Sequence, residues 1–104
     1  MSIEGMTIDD LLEWANGLGI CTFKKMRRFD HDEVACEGAD ARISLCFGRF
    51  TSDGARFVSF DAFDNRDGSH SGVGAPLRTL ESTASHIELY AEKLGLASMQ
   101  LRLF

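Results

Sequence analysis

The sequence predicts an α+β fold, a two-layer sandwich in which two helices cover one face of a five-stranded, mainly antiparallel sheet. Three observations lead there: two capped stretches of helical periodicity, a long middle stretch of period two, and tight-turn residues that interrupt the latter at regular spacing. The predicted element order is α-β-β-β-β-α-β, within one domain covering residues 1–104.

The first helix opens at Thr7-Ile8-Asp9-Asp10, a capping box with Asp in place of Glu. Asp9 and Asp10 also complement the positive end of the helix. Ile8, Leu11, Leu12, Ala15 and Leu18 recur at helical spacing with Trp14 on the flank, and Gly17 and Gly19 end the run.

From Ile20 the period becomes two. Turns are expected at residues 30–33, 38–41 and 51–54, each carrying Asp or Gly. Pairing Phe29 with Val34, Glu37 with Arg42, and Phe50 with Ala55 sorts Cys21, Phe23, Phe29, Val34, Cys36, Ile43, Leu45, Phe47, Val58, Phe60 and Ala62 onto one face. A register chosen from turns alone that collects the apolar residues is the consistency expected of a half-buried antiparallel sheet. Lys25 and Arg27 are the exceptions and are expected at an edge.

Residues 64–76 read as a polar connection without structure of its own. A second helix follows from about Leu80 to Leu94, capped by Thr79 and stopped by Gly95, with Leu80, Ala84, Ile87, Ala91 and Leu94 as its stripe. Met99, Leu101 and Leu103 then alternate with Gln100, Arg102 and Phe104. This tail is expected to pair as a strand with the first strand, the fourth being the alternative.

Function is less legible. With a formal charge of −5 and pI near 5.0, the chain lacks the cationic field of a nucleic-acid binder. Neither a secretory start nor an apolar run of membrane-spanning length is present, and the odd cysteine count (Cys21, Cys36, Cys46) suits a reducing compartment; a cytoplasmic protein is expected. The 64–76 segment touches several motifs and completes none. An EF-hand aligned on Gly68 would need acids at Phe63 and Gly74, and a nucleophile elbow would need Ser at His70. Asp30-His31-Asp32-Glu33 has adjacent rather than convergent ligand types, so no metal or cofactor is expected.

The sheet face away from the helices therefore attracts attention. It is expected to expose Met26, Phe50, Phe57 and Phe63 beside Arg28 and Arg42, and large apolar groups clustered on an uncovered face mark association sites. The expected function is a small non-enzymatic interaction domain, an acidic inhibitor or immunity-type protein that binds a protein partner or itself through this face. The alternative is a ligand-binding domain or enzyme with its site at the 64–76 loop, using Asp61, Asp64 and His70.

Overall fold

The computed structural model describes residues 2–65 and 71–97. A short 3₁₀ turn, Ile3–Gly5, precedes α1 (Ile8–Gly17); five strands follow, β1 (Lys24–Arg28), β2 (His31–Glu37), β3 (Ala41–Arg49), β4 (Arg56–Asp64) and β5 (Ser71–Leu77), and then α2 (Leu80–Lys93). The strands form one antiparallel meander in chain order, with α1 over β1 and β2 and α2 over β3, β4 and β5. The two-helix, five-stranded antiparallel sandwich is as expected, but its fifth strand lies elsewhere in the sequence. Most of the second half of the segment read as a connection belongs to a strand, residues 71–77, paired to β4, so the five described strands precede α2. The tail assigned to a last strand, residues 99–104, lies outside the described residues.

Local chemistry explains the helix boundaries. At α1 the Asp10 amide donates to Thr7 Oγ1 (3.1 Å) and the Thr7 amide donates to Asp10 Oδ2 (2.9 Å), a reciprocal capping box made with the shorter acid. Thr79 caps α2 by accepting from the Ser82 amide (3.1 Å). Each helix ends just before a left-handed glycine, Gly19 and Gly95, both with φ 70°. Asn16, at the end of α1, donates to and accepts from the backbone of Phe23 (3.1 and 2.7 Å), which fixes the return of the chain toward β1.

The sheet registers locate the core. Cys36, Ile43, Ala62 and Val73 form one cross-strand row, and Val34, Leu45, Phe60 and Ala75 the next. Apart from Val73, which is exposed, these rows pack with Leu11 and Ala15 of α1 and Ile87 and Ala91 of α2 in one apolar cluster. Expected pairings of Glu37 with Arg42 and Phe50 with Ala55 are present.

The first hairpin departs from expectation. Arg28 pairs with His31, so the turn is only Phe29 and Asp30, four residues tighter in register than a turn at 30–33. Because a shift of four preserves the alternation, Val34 and Cys36 still face the core. Phe29 does not: it sits at the tip, 90% exposed, in the left-handed region with φ 56°. That conformation crowds Cβ against the backbone in any residue but glycine, and asparagine tolerates it better than phenylalanine. Phe29→Asn is accordingly expected to raise stability by about 0.5–1 kcal/mol. Urea unfolding checks this; a destabilised variant would mean that the ring makes contacts at the tip.

Candidate functional site

The open face of the sheet is built from the alternate residues of the same strands. Lys24, Ala35, Ser44, Asp61 and Gly74 form a row across all five strands, Met26 lies opposite Glu33, Cys46 lies opposite Ser59, and Glu37, Arg42, Phe63 and Gly72 form the next row. None of the described helices covers this face.

The aromatic residues on it do not form one patch. Phe57 and Phe63 are six residues apart on β4, roughly 20 Å along the strand. At one end, the Phe57 ring lies where a Cβ on Gly48 would come within 2.5 Å of it, packs on Phe50 (centroids 4.6 Å apart), and Arg78 lies 4.0 Å over Phe50. At the other end, Phe63 lies against Gly72 and carries the Arg42 guanidinium 5.2 Å above its ring. All three phenylalanines and Met26 are half-buried. Glycine opposite a large ring lets the ring lie down on the sheet, which explains how an uncovered face holds them. Arg28, Arg42 and Phe63 meet around a cavity of about 300 Å³ that also takes in Glu37, Asp40 and Asn65, whereas Phe50 and Phe57 stand outside it.

Glu33 lies near the middle of the face and is not recognisable from sequence alone. It is 4% exposed, its Oε1 has no hydrogen-bond partner among the described residues, and Arg28 Nη1 stands 3.5 Å away, an ion-pair distance without hydrogen-bond geometry. Reading residues 30–33 as a turn placed Glu33 in solvent; the tighter hairpin places it inside β2. Asp61 is nearby. Burial raises its pKa, the charge of Glu33 raises it further, and Arg42, a Ser59 hydrogen bond and Arg28 oppose the shift. Burial likewise pushes up the Cys46 thiol, with Asp61 and Glu33 adding to it. A thiol held in its protonated form is a poor nucleophile.

The Asp61 shift predicts a pH effect. A carboxyl whose native pKa exceeds its unfolded value of about 3.8 holds its proton more tightly when folded, so stability falls as pH rises through the native value. Asp61→Asn removes that loss. The stability of the variant relative to the native chain is expected to increase between about pH 3 and about pH 7, read from urea midpoints. A flat difference would contradict the placement of Asp61. Glu4 and Asp53 act in the opposite sense, being held low chiefly by the backbone amides of Arg56 and Ala55 respectively.

Of the other expected site, at the 64–76 loop, the described residues include Asp61 and Asp64. Asp61 projects to the open face, and Asp64, three residues on, to the opposite one, beside a cavity of about 220 Å³ lined by Val73, Tyr90, Lys93 and Leu94. His70 lies outside the described residues. His86 and Tyr90 stack at 6.5 Å and both pack on Phe60. Cys21 and Cys36 are buried core neighbours, and the Cys21 thiol is pushed up by its hydrogen bond to Cys36 and by burial. No group of three metal-ligating side chains converges among the described residues.

Electrostatics separates the two layers. The basic run of β1 is matched locally: Lys24 lies 3.9 Å from Glu37, Lys25 2.9 Å from Asp9, Arg27 3.4 Å from Asp32, and Arg28 3.5 Å from Glu33. A strand so compensated has little excess charge for phosphates. The helices carry Asp9, Asp10, Glu13, Glu81, Glu88 and Glu92 against Lys93 alone, so the acidic excess sits on the helical layer. No helix among the described residues is long and apolar enough to cross a membrane. Comparison of the chain with known protein families, curated proteins and solved structures finds no match.

Proposed function

We propose that this protein is a non-enzymatic interaction domain that recognises a partner protein through the open face of its sheet. The observation that carries this reading is the end of that face where Arg42 lies over Phe63 beside Arg28 and a cavity of about 300 Å³. Arginine and aromatic side chains already held in place by the fold lose little freedom on binding, and they dominate the energetics of protein interfaces. Phe29 adds weight: an aromatic ring placed 90% in solvent on a left-handed backbone costs stability without serving the core. An acidic inhibitor or immunity-type role suits the charge of −5, which speeds encounter with a basic partner and suppresses non-specific contacts. The cytoplasm suits three free thiols.

The test is capture from a lysate of the source organism at physiological salt, comparing the native chain with Arg42→Ser/Phe63→Ser on the open face and Leu89→Ser on the helical layer. A specific partner should be retained by the native and Leu89→Ser forms and weakened at least about tenfold in the double variant. Equal retention by all three, or no retained protein, would contradict the reading.

A further inference from the structure

We propose that Glu33 and Asp61, framed by Ser44, Cys46 and Ser59, form a binding site for the ammonium or guanidinium group of one lysine or arginine side chain of the partner. This rests on the open face being the recognition surface and says what that surface reads.

Four observations lead to it. The Glu33 side chain is only 6% exposed, yet its Oε1 lacks a hydrogen-bond donor among the described residues. A buried carboxylate oxygen left in this state is a standing demand for a donor, which a ligand can meet. The arginines nearby do not meet it: Arg28 Nη1 stops at 3.5 Å without hydrogen-bond geometry, and Arg42 lies over Phe63.

The sign of the local field selects a cation. Asp61 is raised by burial and by Glu33 despite both arginines, and Cys46 is raised by burial, Asp61 and Glu33. Burial is the largest cause of both shifts; the charge contribution that raises them comes from Glu33 and, for Cys46, also from Asp61, and two such carboxylates favour charge-assisted donors.

Small residues make the floor around these carboxylates, and Ala35 and Ser44 are buried there. Ala35, Ser44 and Gly74, in the row of Asp61, are small, and a Cβ on Gly74 would come within 2.9 Å of Asp61 Oδ1. The Asp61 carboxylate thus lies against the Gly74 backbone, a placement that only glycine permits. Met26, opposite Glu33, offers an apolar surface for the aliphatic stem of an incoming side chain.

The experiment titrates ¹⁵N-labelled native protein with ethylguanidinium chloride and with n-butylammonium chloride at constant ionic strength. Tetramethylammonium chloride is the control, since it has the same charge and no N–H donor. Saturable shifts of the Ser44, Cys46, Ser59 and Asp61 amides are expected, half-complete on the order of 10 mM. They should weaken at least about fivefold in Glu33→Gln, whose fold is checked by circular dichroism and thermal unfolding. A second variant, Asp61→Asn, should lose most of the same response. Absence of saturation, an equal response to tetramethylammonium, or full retention in both variants would overturn the proposal. Its failure is separable from that of the interaction reading: a partner lost in Arg42→Ser/Phe63→Ser but kept in Glu33→Gln overturns the cation site and leaves the face as the recognition surface.

Discussion

Phe60→Ala is expected to destabilise the protein by about 3–5 kcal/mol, the usual cost of emptying a fully buried aromatic site. Phe60 is 0% exposed and stands on β4, which is paired on both sides. Its cross-strand neighbours are Leu45 and Ala75, and its ring meets His86 at 5.3 Å and Tyr90 at 5.5 Å. One side chain therefore joins the centre of the sheet to the inner surface of α2. Truncation leaves a cavity that a paired strand cannot collapse to fill, because moving β4 would break two ladders at once. Against a typical total of about 5–15 kcal/mol, the loss takes a large part of the stability, and Phe60→Leu should cost clearly less. Urea unfolding measures both. A cost below about 1 kcal/mol for the alanine variant would mean that α2 does not pack on β4 in this way.

The second large effect is expected at Arg56→Ala, about 2–4 kcal/mol, although the residue is only half-buried. Arg56 Nη1 reaches the carbonyl oxygens of Met6 (2.7 Å), Ile3 (3.0 Å) and Glu4 (3.2 Å), its backbone amide donates to Glu4 Oε2 (2.8 Å), and its guanidinium lies 3.7 Å from the centre of the Phe47 ring. The carbonyls of Glu4 and Met6, and that of Ile3, which also accepts the Met6 amide (3.2 Å), have no strand to pair with, and a planar cation shared among them holds this segment instead. Arg49 reinforces the clamp by bonding Glu4 Oε1 (3.1 Å) and the Gly54 carbonyl (2.9 Å). Without Arg56 the buried Ile3 and Met6 lose the group that holds their backbone to β4. Lysine supplies the charge but not the planar ring contact, so Arg56→Lys should recover only part of the loss. Faster amide exchange confined to residues 2–7, accompanying the lower unfolding midpoint, would identify the mechanism; a variant with unchanged stability would contradict it.

These two residues mark what can be read from sequence and what cannot. The helix caps at Thr7 and Thr79 were legible because a cap is complete within four residues. Registers across the second and third hairpins were legible because Gly38, Asp40, Asp53 and Gly54 sit where turns need them. At the first hairpin the tip residue is Phe29 rather than glycine or asparagine, so the turn carried the wrong signature and was placed too late. Strand β5 was missed for a related reason. Gly72, Gly74 and Pro76 look like loop punctuation, yet the glycines serve as flat ground beneath Phe63 and beside Asp61, while Val73, Ala75 and Leu77 keep the alternation of a strand.

The candidate site shows the same division. Arg28, Arg42 and Phe63 were identifiable from alternation, since any residue of that parity reaches the open face. Glu33 was not, because its burial depends on a hairpin register shifted by four residues and on neighbours from three other strands. Nor could parity alone show that Phe50 and Phe57 cluster apart from Phe63, since Arg78 and Gly48 take part and distance along β4 decides the matter.

The most direct test of the central claim is hydroxyl-radical footprinting of the protein with and without its captured partner. Met26 and Phe63 report on the open face, and Trp14 and Leu89 on the helical layer. Protection of Met26 and Phe63 with unchanged Trp14 and Leu89 is the expected result; protection of Trp14 and Leu89 with Met26 and Phe63 unchanged would show that the partner binds the helices and would contradict the account.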